Sequence, residues 1–233
     1  MDNQQLCINP GKKEIVESDI GAFSCYALKT KVITEEDSLS DVVCDYAKPY
    51  LKEGDILFLS EKMVACTQGR AIPLASIKAG ALAKTLSRFV ARSKAGIGLS
   101  MPETMQCALD ECGYLRILLA SAIGMFGKML MRKGWFYRVA GYRAACIDGP
   151  CDYTIPPYNN CVVLAPLDPI PLSVEISKKL DDVIVLIVDV NDLGVSILGC
   201  SEAIDKNRII RLLRQNPLGQ SRESTPMGIL RAC

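Results

Sequence analysis

A chain of 233 residues is long enough for one large domain or two small lobes that bury most of their apolar surface. With 49% hydrophobic and 23% charged residues it is not a disordered chain, and a net charge of +1 gives no footprint for nucleic acid or an anionic membrane. The absence of histidine excludes Ser/His and Cys/His nucleophile pairs and histidine-ligated metals, so base chemistry falls to carboxylates, lysine or bound water.

Residues 1 to 20 mix charge with Pro10 and Gly11 and read as a leading strand or arm. Tyr26 to Ile33 alternates as a strand does, and the polar, acidic run Thr34 to Ser38 reads as the start of a helix over Leu39 to Leu51. Gly54-Asp55 breaks that helix. Ile56 to Leu59 is a buried strand ending on Ser60-Glu61-Lys62, a polar turn and a plausible ligand edge. Met63 to Thr67 continues apolar into the turn Gln68-Gly69-Arg70, and Ala71 to Leu74 precedes a helix from about Gly80 to Ala91. Arg88, Arg92 and Lys94 fall near its end, where cations suit the helix dipole. Pro102 to Cys112 reads as a helix with proline in its first turn.

Ile117 to Met131 is small and apolar, and Gly124 and Gly127 fit either close packing or an exposed loop. Its most apolar part, Ile117 to Gly127, is shorter than the about 20 residues that cross a bilayer. Trp135 to Val139 is strand-like, and Ala144 to Ile147 reads as a strand leading to Asp148-Gly149-Pro150. Cys161 to Leu164 is a short buried strand, and Leu172 to Leu180 an amphipathic helix. Val183 to Val188 is a continuous apolar run, mostly β-branched, of the kind found in strands covered on both faces, ending on Asp189, Asn191 and Asp192. A second apolar run, Val195 to Leu198, follows Gly194, so this stretch is either a ligand edge or a plain tight turn between two strands. A helix over Glu202 to Leu213, a polar loop through Gln220 to Pro226 and a strand over Met227 to Arg231 complete a mixed α/β (α+β) pattern. No linker or repeat divides it, so residues 1 to 233 read as a single unit with its lobe boundaries unassigned.

Asp148, Asp189 and Gln220 each stand in a polar turn and offer oxygen, the ligand that Mg²⁺ or Mn²⁺ prefers. Each taken alone is a turn former. The eleven cysteines include no C-x-x-C and read as small buried hydrophobes in a reducing cytoplasm. A thiol or soft-metal site on Cys146, Cys151 and Cys161 is the weakest reading. The Met-Asp-Asn-Gln-Gln terminus shows neither the basic nor the apolar region of a signal peptide, so a cytoplasmic location is expected.

Several segments together resemble the coenzyme F-420 gamma-glutamyl ligase family. Leu28 to Ile33 with Asp37 is similar to its opening segment, and Gly54 to Leu57 through Ser60 to Val64 and Gly69-Arg70 to its next block. Cys146-Ile147-Asp148 resembles its G-I-D, Leu164 to Pro169 its L-P-x-D-P-D, and Val188-Asp189 its S-D-T or T-D-T. Leu218-Gly219-Gln220 through Pro226 to Arg231 resembles its terminal G-Q-G-D-E-G-x-P and closing strand. The resemblance implies a gamma-glutamyl ligase-like fold with mixed sheets and two lobes in an intertwined homodimer, with segments such as Ile117 to Met131 between chains. It also implies that Asp148 and Asp189 hold Mg²⁺ or Mn²⁺ with Gln220, and that Gln220, Ser221 and Lys62 serve GTP or ATP. The implied reaction is amide, gamma-glutamyl bond formation between a carboxylate acceptor and glutamate, with no nucleic-acid or membrane partner.

Where the pattern has Asn, Thr and Lys, this chain has Cys151, Val190 and Cys66, and Asn191-Asp192-Leu193 replaces a G-R and basic segment. Neither valine nor cysteine suits a hard cation. A non-catalytic or re-purposed ligand-binding protein on the same fold is therefore the alternative reading.

Overall fold

The β-branched run at 184–188 and the apolar run at 56–59 are the middle of the structure, because strands apolar on both sides must be covered on both sides. The computed structural model describes residues 6–18, 21–90, 97–132, 134–191, 194–219 and 222–233. It divides into two compact units: Met1–Gly69 with Pro166–Cys233, and Arg70–Ala165.

The first unit is built on a seven-stranded mixed sheet. Its strands are β1 (Leu6–Cys7), β2 (Ile15–Ser18), β3 (Gly21–Leu28), β4 (Ile56–Ser60), β7 (Ile184–Asn191), β8 (Gly194–Cys200) and β9 (Met227–Ala232). The order is β1-β3-β9-β4-β7-β8, with β2 also on β3. β4 and β7 run parallel, and the other pairs are antiparallel. Alternation along the strands divides the core in two. Leu57, Leu59, Val185 and Ile187 pack with Val42 and Val43 of α1 (Leu39–Tyr46) and Ile176 of α8 (Pro169–Lys179). Phe58, Leu186 and Val188 pack with Ile209, Leu212 and Leu213 of α9 (Lys206–Leu213). Helices therefore cover both faces. Gly228 of β9 is forced by packing, since a Cβ there would collide with the Phe58 ring and the Tyr26 carbonyl.

Two polar devices, one long-range and one local, fix this unit. Arg231 of β9 grips the buried Asp55 through Nε to Oδ1 at 2.9 Å and Nη2 to Oδ2 at 2.7 Å, and also donates to the Tyr50 carbonyl. The Lys31 ammonium and the Thr34 N–H donate to Asp37 and hold its carboxyl below the usual carboxylate range.

The second unit packs α3 (Ala81–Ser87), α4 (Pro102–Cys112), α5 (Tyr114–Met129), α6 (Trp135–Ala140) and α7 (Tyr142–Ala145) with the antiparallel pair β5 (Ala71–Pro73) and β6 (Cys161–Val163). Its core joins Leu99, Met105, Leu109, Ile117, Ile147 and Val162. Gly124 and Gly127 of α5 lie against Phe136 and Trp135, so the two glycines serve close packing within a helix. The outer side of α5 leaves Leu115, Leu119, Phe126 and Met129 exposed.

Four segments differ from the sequence expectation. The strand placed at 26–33 is β3 at 21–28, because its register is set by pairing with β9 rather than by its own alternation. Met63 to Thr67 belongs to α2 (Glu61–Thr67), whose Met63 and Val64 point into the sheet core. The strand-like runs at 135–139 and 144–147 are α6 and α7, started by Gly134 and Gly141 at positive φ; α6 packs on α5, and α7 on α4 and α6, and this packing overrides aromatic and β-branched preference. The mixed α/β class itself agrees with the expectation.

Candidate active site

β4 and β7 are parallel and in register, with Ser60 beside Val188. The residue that follows each of these partners is a carboxylate, so Glu61 and Asp189 arrive together at the carboxyl ends of adjacent parallel strands, where α/β sheets bind ligands. A carboxylate oxygen of Glu61 and one of Asp189 lie within 4.8 Å of each other. Glu61 opens α2 and is buried, whereas Asp189 is half-buried. The backbone on the β4 side is fixed by the Ser60 N–H, which donates to the Pro226 carbonyl at 2.8 Å. On the β7 side, Asn191 Nδ2 donates to Asp189 Oδ1 at 3.1 Å.

The segment around 165–169 is anchored to the far end of α2. Gln68 donates from Nε2 to the Leu167 carbonyl at 3.1 Å and accepts the Leu167 N–H at 2.8 Å. Asp168 follows in the left-handed region, at φ 46°, as the residue that starts α8. These bonds make Gln68 structural.

The residues expected to form the site are distributed as follows. Asp189 stands at the end of β7 with Glu61 beside it. Lys62 lies on the exposed side of α2. Asp148 belongs to the second unit, where its backbone exchanges two 2.9 Å hydrogen bonds with Val163. The nearby Tyr137 phenol is pushed above its usual range, first by burial and then by the charge of Asp148. Gln220 and Ser221 lie outside the described residues. The loop that carries them is secured on both sides: Asn9 Nδ2 donates to the Pro217 carbonyl and Thr225 Oγ1, and Thr225 Oγ1 donates to the Leu218 carbonyl.

Arg70 is spoken for within the second unit. Its Nη2 meets Glu111 Oε2 at 2.6 Å and its Nε donates to the Ala165 carbonyl at 2.5 Å. Cys146, Cys151 and Cys161 do not gather into a three-ligand group among the described residues.

Glu61 is the residue that sequence reasoning did not name as a ligand. The signal was present in the polar turn ending the 56–59 strand, but its partner follows only from the β4–β7 register. Two carboxylates this close suit a hard divalent cation, which takes oxygen ligands and offsets their mutual repulsion.

The sequence model of the F420-0:Gamma-glutamyl ligase family matches residues 27–193. That span covers well over half of the chain and includes Glu61, Asp148 and Asp189. The protein belongs to the F420-0:gamma-glutamyl ligase family. This gamma-glutamyl ligase-like chain carries Gln220 and Ser221 beyond the matched span. No curated protein matches it. Among the described residues of this family member, no helix is long and apolar enough to cross a membrane.

Proposed function

We propose that the protein is a ligase that uses GTP or ATP and a divalent cation to join a carboxylate acceptor to the amine of glutamate as an amide. The reading is carried by the meeting of Glu61 and Asp189 at the ends of β4 and β7, and the family assignment supports it. Glu61 and Asp189 would hold Mg²⁺ or Mn²⁺, with Asp148 and Gln220 as the further oxygen donors of the set. When bound, such a cation neutralises phosphate charge. Lys62, on the exposed side of α2 one residue from Glu61, and Ser221 would serve the nucleotide.

The chemistry asked of the chain is positioning. The acceptor carboxylate takes the terminal phosphoryl group, releasing the nucleoside diphosphate and leaving an acyl phosphate. The glutamate amine then attacks the acyl carbon, loses a proton and expels inorganic phosphate. Glu61 is buried and Asp189 half-buried, so the site is partly screened from bulk water. The location in this reading is cytoplasmic. A homodimer would cover the exposed Leu115, Leu119, Phe126 and Met129 of α5; sedimentation showing only monomer counts against it.

Calorimetry of GTP and ATP with Mg²⁺ or Mn²⁺ tests the site. Binding is expected in the wild type and a loss of at least about tenfold in Asp189→Asn. No binding by the wild type sinks the proposal. Val190, which offers no oxygen after Asp189, favours the second reading of a non-catalytic binding protein. Nucleotide binding without glutamate-dependent phosphate release from any acceptor assigns that reading.

A further inference from the structure

Asp189 and Asn191 are two residues apart on β7, so they share a face of the strand. Asn191 also pairs with Gly194 across the β7–β8 hairpin. Its carboxamide is used at both ends: Oδ1 accepts the Gly194 N–H at 3.1 Å, and Nδ2 donates to Asp189 Oδ1 at 3.1 Å. A backbone donor on one side and a carboxylate acceptor on the other fix which way the amide points. Satisfying both takes a side chain that carries an acceptor and a donor, as the planar carboxamide does. Leucine satisfies neither, and aspartate would set a second carboxylate against Asp189.

We infer that Asn191 is a positioning residue for the Asp189 carboxylate, transmitting the rigidity of the hairpin backbone to a cation ligand. The inference rests on the reading of Glu61 and Asp189 as a divalent-cation site. The chain of bonds runs from the Gly194 N–H through the carboxamide to Asp189 Oδ1, with no flexible exposed side chain in it. One carboxylate oxygen accepts this bond, which restricts rotation of the group and sets the orientation in which it meets a ligand. A carboxylate beside a bound cation gains much of its affinity from such outer partners, whose loss costs about 10–100-fold in binding. The hydrogen bond also offsets the like charge of Glu61 in the cation-free protein.

The test is a titration of cation-free protein with Mn²⁺, followed by calorimetry, for wild type, Asn191→Leu and Asp189→Asn, with thermal unfolding recorded for each. Asn191→Leu is expected to keep a cooperative transition while its Mn²⁺ affinity falls about 10–100-fold. Equal affinity in the wild type and a folded Asn191→Leu overturns this inference and leaves the site reading standing. No Mn²⁺ binding by the wild type overturns the site reading and this inference with it. A second measurement holds even where Asn191→Leu does not fold. The side-chain amide resonances of Asn191 in the wild type are expected to shift in Asp189→Asn, and resonances unmoved by that substitution overturn the inference.

Discussion

Replacing Glu61 by glutamine should make the cation-free protein more stable while removing its response to Mn²⁺. Two ionised carboxylate oxygens no more than 4.8 Å apart repel by about 3.5 kcal/mol at an effective dielectric constant of about 20. Glutamine keeps the shape and removes one of the charges. It also gives up the favourable placement of an anion in the first turn of α2, worth about 0.3–1 kcal/mol. The net expectation is a gain of about 2.5–3 kcal/mol in the cation-free protein. Bound cation works in the other direction, stabilising the wild type by about 2.7 kcal/mol at a hundredfold excess over Kd. Urea unfolding of the two proteins, first with chelator and then across a Mn²⁺ series, measures both effects. The reasoning is refuted if Glu61→Gln is the less stable protein in chelator and gains as much from Mn²⁺ as the wild type does.

Arg231→Met should cost about 3–5 kcal/mol in urea unfolding, because Asp55 stays buried with its charge partner gone. Loss of both partners in Arg231→Met with Asp55→Leu should recover part of that cost, and a double variant worse than the sum of the singles would contradict the pairing. Burial pushes the Cys25 thiol up to about 12 and the Cys107 thiol up to about 11, the latter with help from Asp110 and Glu111. A group raised in the folded state stabilises fully below its unfolded value and loses that contribution as pH climbs towards its folded one. Stability should therefore fall from about pH 9 upwards, and Cys25→Ala should flatten the upper part of that decline. A decline of the same slope in Cys25→Ala would assign it to other groups.

Much of the fold was legible because its signals are local. Pro102 at a first turn and the run ending at Cys112 mark α4 at the residues it occupies, and the continuous apolar runs mark β4 and β7. The errors fall where a partner decides. Tyr26 alternates with its neighbours, but β3 runs from Gly21 to Leu28 because β2 and β9 pair with it in particular registers. Trp135 to Val139 has strand-forming residues and is helical because Gly124 lets Phe136 sit on α5. The same distinction divides the site. Asp189 could be read from a buried strand ending in oxygen ligands, whereas Glu61 required the alignment of two strands separated by well over a hundred residues. Asn191 read as part of a departure from the family pattern, and its bond to Asp189 depends on the hairpin closing at Gly194.

The position of β9 has a consequence for how the molecule is made. It is the last strand of its sheet in sequence, yet it lies between β3 and β4. The ribosome therefore delivers both neighbours long before the strand that separates them, and at about 5–20 residues per second the wait while residues 61–226 are added is on the order of ten to thirty seconds. During that interval the facing edges of β3 and β4 have open backbone donors and acceptors, and each could accept a stranger or pair with the other. Arg70–Ala165 is continuous in sequence, so its unit has all of its own elements in that time. A nascent chain stalled before Met227 would carry one unit complete in sequence and another with an open slot at its centre, the form in which a holdase chaperone has most to bind.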